Sequence, residues 1–256
     1  MNKLRKFIIG ALLTIALIGI GTKVANKKEE YKQPTKEVSL DNPQEQLDKA
    51  YQISKPSNIT EIIYDPEFNE TDRYIRGKMR NYFPEEDILK AIQNARKVSP
   101  GHNMGVQGIF RYMGDGEKRP VFARKELLTS PNVMTIEDIA SATDHEDVHA
   151  GEERYGLDFY DHRKKGEEFL TLLKSGKIRT EMMLAIGELG AHAYQLNKIQ
   201  RGERKTSRQL KEHVERWFVY LKGMVETEKA QGILQPVEQE FYEAKRKRYD
   251  SVFKKL

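Results

Sequence analysis

Apolar residues recur at helical spacing through most of the second half of the chain. Thr135 opens a capping box that is followed by an apolar stripe, so a helix is predicted to begin near Thr135. Further helices are predicted over 180–199, after a cap at Thr206 or Ser207, and from Pro236 onward. The residues expected to line the buried side of the helix that follows the cap are Leu210, Val214, Trp217, Leu221 and Val225.

The part of the chain before Thr135 mixes strand and helix patterns. The β-prone run Ile59–Tyr64 predicts a strand, and Pro84 followed by acidic residues predicts the start of a helix. Two β-prone runs on either side of Gly114-Asp115-Gly116 predict an antiparallel hairpin within 105–128. The predicted fold class is therefore α+β and mostly helical, with a small antiparallel hairpin ahead of the helix that begins near Thr135. The side chains expected to be buried in the Pro84 helix are Ile88, Leu89, Ile92 and Ala95.

The N-terminal segment has the composition of a targeting sequence. A basic start is followed by an uncharged apolar run over 7–21, which predicts that 1–25 is an export signal or an uncleaved signal anchor. An anchor would hold the domain at the cell membrane on the extracytoplasmic side, and cleavage would release a secreted protein. Residues 26–57 are polar and predict a flexible tether, with a short helix from about Pro43 to Tyr51. The folded domain is predicted to span 58–256.

Charge and cysteine content narrow the function classes. The chain has no cysteine and a net charge of +5, but 1–30 and 243–256 together contribute +8, which leaves 31–242 at −3. A nucleic-acid-binding surface over the globular part is therefore not supported, and disulfides are excluded. The basic cluster of the last helix is expected to be a solvated face or to rest on an anionic membrane surface. Its residues are Lys245, Arg246, Lys247, Arg248, Lys254 and Lys255.

The helix predicted to start near Thr135 carries the strongest chemical signal, His145-Glu146-x-x-His149. Residues four apart lie on one face of a helix, so both imidazoles can bind one ion. With a third protein ligand, a water completes the coordination of zinc, and the Glu146 carboxylate is placed to take the proton of that water.

The best candidate for the third ligand is Glu188, on the helix predicted over 180–199. Gly187, Gly190 and Ala191 flank it and would allow that helix to approach another closely. Glu188 and His192 lie one turn apart on this otherwise apolar helix. When they are buried, the carboxylate and the imidazole each need a polar partner. Alternative third ligands are Asp158, Asp161 and His162.

His145-Glu146-x-x-His149 with a later Glu188 resembles the gluzincin branch of the zincin metallopeptidases, over roughly 105–199. The resemblance implies that His145, His149 and Glu188 bind zinc and that Glu146 is the general base. It also implies a zincin-like fold, in which a strand before the active-site helix pairs with an extended peptide. His192 stands where the family has a residue supporting the ligands. Asp144 and Asp147 depart from the uncharged residues usual at these positions.

The function expected from these features is zinc-dependent hydrolysis of peptide bonds in a peptide or protein substrate. His192, Tyr194 or Tyr155 would stabilise the oxyanion. One alternative is a binding protein that uses a zincin-like scaffold without turnover, suggested by the charges of Asp144 and Asp147. A second alternative is a metal-free interaction domain anchored to the membrane. Neither the substrate sequence nor the oligomeric state follows from the sequence.

Overall fold

The structure is a computed structural model that describes residues 36–80, 84–86, 88–89, 92–93, 104–105, 117–155, 175–177 and 179–256. The apolar run predicted to be a signal or an anchor, 1–25, lies outside these residues. Within them, no helix is both long enough and apolar enough to span a bilayer.

The described residues are mostly helical, as predicted. The described residues between 85 and 93 are also helical, and Ile88 and Ile92 among them are buried whereas Leu89 is exposed. The other elements are α1 (Pro43–Ser54), β1 (Ile59–Tyr64), α2 (Asn69–Met79), β2 (Met104–Gly105), β3 (Arg119–Ala123), α3 (Lys125–Thr129), α4 (Ile136–Tyr155), α5 (Thr180–Gln200), α6 (Arg208–Ala230), α7 (Pro236–Arg248) and α8 (Asp250–Lys255).

The strands form a small sheet in the order β1-β3-β2. β1 runs parallel to β3, with Ile62 opposite Val121, and the two-residue β2 runs antiparallel to β3. The predicted antiparallel hairpin is therefore not confirmed, because the main partner of β3 is β1, which is distant in sequence. Most of the predicted first hairpin strand lies outside the described residues.

Two apolar cores divide the fold, and α4 and α5 belong to different ones. The N-terminal core contains buried side chains of α1, β1, β3, α3 and α4, whereas the C-terminal core contains those of α5, α6, α7 and α8. α4 packs against α5. This helix pair is thus the seam between the cores, and polar side chains at the seam have protein on both sides.

The long helices begin where the sequence predicts. Asp138 Oδ2 accepts hydrogen bonds from the backbone N–H groups of Met134 and Thr135 before α4, and Ser207 Oγ accepts one from Leu210 N in α6.

The prediction that Trp217 lies in the core is wrong, because Trp217 is 38% exposed and Phe218 occupies the buried position.

The predicted tether is wrong for residues 36–57. Val38, Leu47 and Ala50 are buried in the N-terminal core, and α1 packs against α4. The predicted short helix is confirmed and extends to Ser54. The polar composition concealed the fact that α1 has one apolar stripe, which is enough for burial when a neighbouring helix covers it.

The two aspartates that depart from the zincin pattern hold this N-terminal segment on α4. Buried Asp144 accepts hydrogen bonds from Ser54 Oγ at 2.6 Å, Lys198 Nζ at 2.7 Å and Arg204 Nε at 2.9 Å. Asp147 accepts hydrogen bonds from the backbone N–H groups of residues 57 and 58, which follow α1. Both charges therefore have partners in the fold.

Arg204 is the central cation of this network. It is 5% exposed, and its guanidinium contacts Asp144 through two nitrogens and Glu137 through a third. Burial acts to lower the pKa of Arg204, but the hydrogen bonds that Arg204 donates to Asp144 and Glu137 outweigh burial and raise that pKa above its ordinary value. Arg204 lies in the charged run over 201–205, and only tertiary packing reveals its burial.

We expect Arg204→Met to lower the free energy of unfolding by about 3 kcal/mol, because it leaves the Asp144 carboxylate buried with a weaker set of partners. Urea denaturation measures the effect. Arg208→Met is the matched control: its ion pair with Glu212 is exposed, so its loss is expected to cost less than about 0.5 kcal/mol. Equal losses in the two variants would contradict the role given to Arg204.

Candidate metal centre

α4 and α5 bring three potential metal ligands to one point. His145 and His149 lie one turn apart on α4, and Glu188 faces them from α5. One donor atom from each residue can be chosen so that all three lie within 4.8 Å of one another. The three residues that the sequence singled out as ligands are therefore brought together.

The contacts among the three side chains are short. His145 Nε2 lies 3.1 Å from His149 Nε2 and 3.1 Å from Glu188 Oε2, and His149 Nε2 lies 3.3 Å from Glu188 Oε1. Ligand atoms about 2.0–2.1 Å from a tetrahedral zinc ion stand roughly 3.3 Å apart. The spacing of the donor atoms is thus close to the spacing that such an ion requires.

Gln195, one turn beyond His192 on α5, fixes the tautomer of His145. Its Nε2 donates to the Ser141 carbonyl at 2.9 Å, which turns Oε1 toward His145 Nδ1, 3.1 Å away. An amide oxygen only accepts, so His145 Nδ1 must carry the proton. In the neutral ring, Nε2 then presents a lone pair to the centre, as a metal ligand requires.

The lone pair of His145 Nε2 needs a positive partner, because it faces His149 Nε2 and the Glu188 carboxylate. Without a metal, a proton on His149 would supply that partner. Burial lowers the pKa of His149, but the charge of Glu188, the Glu152 carboxylate near Nδ1 and the contact with the Glu188 carboxylate outweigh burial and raise the pKa well above its ordinary value. A metal ion at the same point would replace the proton. The donor set therefore fits a divalent cation that takes imidazole and carboxylate ligands.

The pKa of Glu188 shifts in the opposite direction from that of His149. Burial raises its pKa, but the charge of His149 and the hydrogen bond from His149 outweigh burial and hold the pKa well below its ordinary value. Glu188 is therefore an anion and available as a ligand near neutral pH.

His192 lies beside the centre. Its ring centroid is 4.7 Å from that of His145, and its Nδ1 donates to Gln195 Oε1 at 3.1 Å. Burial lowers the pKa of His192 to about 3, so the ring is neutral. Its Nε2 then carries a lone pair and has no proton to donate to an oxyanion. This tautomer does not favour the role of His192 as an oxyanion stabiliser, which stays a prediction; the ring shares the Gln195 amide oxygen with His145.

The other predicted catalytic residues fall in different places. Glu146 follows His145 on α4 and is partly buried. Tyr194 is not brought to the three ligands: its ring packs against the C-terminal core and lies 6.3 Å from Tyr249, because it points to a different face of α5 from Glu188. The alternative ligands Asp158, Asp161 and His162 lie outside the described residues.

Three polar residues at this site were missed by the sequence reasoning, Gln195, Glu152 and Lys245. Gln195 follows Glu188 by seven residues, a spacing that keeps both on one face of a helix and could have indicated it. Lys245, predicted in a solvated or membrane-facing basic cluster, is 2% exposed and lies against Glu152. No local signal marks this pair, because its partners are 93 residues apart.

Comparison with known proteins finds no matching family model, no matching curated protein and no matching solved structure. Overall similarity therefore adds nothing to the gluzincin resemblance of the two motifs.

We expect Gln195→Met to lower zinc affinity about tenfold, because His145 loses the acceptor that holds its Nδ1 proton. Competition titration with a chromophoric chelator measures the dissociation constant. Gln200→Met, exposed at the end of the same helix, is the control and should leave the affinity unchanged. An affinity equal to that of the wild type in Gln195→Met would show that the amide does not support the ligand.

The raised pKa of His149 also predicts how pH acts on the metal-free protein. Because the pKa of His149 is higher in the folded protein than in the unfolded chain, where it is 6.5, protonation of His149 stabilises the fold. This stabilisation is fully present below pH 6.5 and is lost as the pH rises through the folded-state pKa. The melting temperature should therefore fall as pH rises above about 6.5, and it should fall less in His149→Gln. Zinc displaces the same proton, so the melting-temperature gain from zinc should grow with pH. A pH profile of His149→Gln identical to that of the wild type would contradict this assignment.

Proposed function

We propose that this protein is a zinc-dependent hydrolase of peptide bonds, related in its chemistry to the gluzincin metallopeptidases that its two motifs resemble. The observation that carries the proposal is the contact of His145 Nε2, His149 Nε2 and the Glu188 carboxylate at 3.1–3.3 Å, from two helices. Two imidazoles and one carboxylate leave a coordination position for water, as catalytic zinc sites do.

The residues around the centre have separable tasks in this proposal. When bound, zinc supplies Lewis acidity that makes water a better nucleophile at neutral pH and polarises a carbonyl group. Glu146, adjacent to His145 on α4, accepts the proton of the attacking water and passes it to the leaving amine. Glu188 and the two histidines hold the ion, and Gln195 keeps His145 in the tautomer that can do so.

A peptide is the proposed substrate because a strand lies next to the motif helix. β2 contacts α4 and is at an edge of the sheet formed by the described strands. An edge strand offers backbone groups to an extended chain, which is how the zincins that the motif resembles hold their substrates.

The alternative of a non-catalytic binding protein loses its motivation. It was suggested by the charges of Asp144 and Asp147, and both now have partners in α1, α5 and the segments next to them.

The cellular location is part of the proposal: 1–25 would export the domain, which would remain on an N-terminal anchor or be released after cleavage.

We expect Glu146→Gln to lower kcat/KM on an unstructured protein substrate by about 10²–10⁴-fold, because the general base is removed while the ligands remain. Hydrolysis of a fluorescein-labelled unfolded protein measures the rate. Glu181→Gln is the matched control, since Glu181 is exposed and lies about two turns before Glu188 on α5.

Elemental analysis of the same preparations makes the result decisive. About one zinc per chain is expected in the wild type and in Glu146→Gln, with the metal lost in His149→Ala and Glu188→Ala. Zinc retained in Glu188→Ala would move the third ligand to Asp158, Asp161 or His162. No zinc in the reconstituted wild type would overturn the hydrolase and favour the metal-free interaction domain.

A further inference from the structure

A buried ion pair lies directly behind the second histidine. Glu152 follows His149 by three residues on α4, and its Oε1 accepts a hydrogen bond from Lys245 Nζ of α7 at 2.5 Å. Both side chains are 2% exposed. A fully buried pair of this kind seldom stabilises a fold more than apolar residues would, so its presence calls for a different explanation.

The ligand helix is shaped to admit this pair. A Cβ added at Gly190 would lie 2.9 Å from Lys245 Cδ, and one added at Gly187 would lie 3.3 Å from Glu152 Oε2 and 3.9 Å from His149 Cε1. These glycines flank Glu188, so the helix that supplies the third ligand also provides the space for the ion pair.

The second oxygen of Glu152 faces the ligand histidine. Glu152 Oε2 is 3.8 Å from His149 Nδ1, and Nδ1 is buried with no hydrogen-bond partner within 3.5 Å among the described residues. In the neutral ring, which is the form that binds a metal, a carboxylate next to Nδ1 favours the proton on that nitrogen, and Nε2 then keeps the lone pair that faces His145 and Glu188. A carboxylate partner also strengthens an imidazole as a metal ligand.

We propose that Glu152 and Lys245 are positioning residues for the metal site: Glu152 fixes the tautomer and orientation of His149, and Lys245 holds Glu152 in place. This inference rests on the proposed metal site. It makes the C-terminal helix α7 part of the site although α7 supplies no ligand. The two ligand histidines then differ, because Gln195 supports His145 with a neutral acceptor and Glu152 supports His149 with a charged one.

The test measures zinc affinity and the absorption spectrum of the cobalt-substituted protein in Glu152→Gln and Lys245→Met. We expect Glu152→Gln to weaken zinc binding by about 10- to 100-fold and to shift the cobalt bands, because the ligand field at His149 changes. Lys245→Met, which keeps the aliphatic stem beside Gly190, should change both readouts in the same direction but less.

Glu238→Gln is the matched control for a merely structural effect. Glu238 is also buried on α7 and forms an ion pair with Arg179, but it has no contact with His149 among those described. It should lower the melting temperature and leave zinc affinity and the cobalt spectrum unchanged.

Outcomes for this inference and for the proposed function can be told apart. Wild-type zinc affinity and cobalt bands in a folded Glu152→Gln would overturn the inference and leave the metal site standing, whereas no zinc in the wild type would overturn both. If neither variant folds, ¹⁵N shifts of the histidines in the zinc-loaded wild type decide: a protonated Nδ1 and a metal-bound Nε2 at His149 support the inference, and binding through Nδ1 overturns it.

Discussion

α5 is approached closely by α4 at Gly187 and by α7 at Gly190, because neither glycine carries a side chain that would keep the neighbouring helix away. At Gly187 and Gly190 the space of a Cβ is taken by polar atoms of Glu152 and by the stem of Lys245. α4 and α5 belong to different apolar cores, so their contact joins the halves of the fold through a polar seam. Burial on both sides makes each polar group at the seam depend on a specific partner.

The seam holds charge at two levels along α4, and each level has its own counter-charge. At one level Asp144 meets Arg204 and Lys198, which come from α5 and the loop after it. At the other level the two histidines meet Glu188. Removing one partner from a buried set leaves an uncompensated charge, which is costly, so the sets also fix the register of one helix on the other. This mutual fixing accounts for donor atoms that stand at metal-binding distances.

Local periodicity was enough to predict the centre but not its surroundings. The spacing of His145 and His149, and the capping box before them, depend only on neighbours within a few residues, so the sequence revealed them. Glu188 was identified because its helix was otherwise apolar and rich in small residues. The burial of Arg204 and of Lys245 depends on partners 60 and 93 residues away, and no local pattern separates such residues from a solvated cation. The prediction for Trp217 was wrong in the opposite direction. Its hydrophobicity suggested a core position, but the neighbouring Phe218 occupies the buried face of α6 and Trp217 is exposed.

The carboxylates of α4 lie on different faces of the helix, and this separation affects the charge at the proposed metal site. With about 3.6 residues per turn, Glu152 lies on the side of the histidines, whereas Asp147 points to the segment after α1. The proposed ligand set then carries the single negative charge of Glu188, and a divalent ion would retain a net positive charge. That charge favours a polarised carbonyl oxygen at the centre. A further carboxylate among the ligands would cancel it, so pairing Asp144 with Arg204 and Asp147 with backbone N–H groups keeps the aspartates next to the motif from weakening the site.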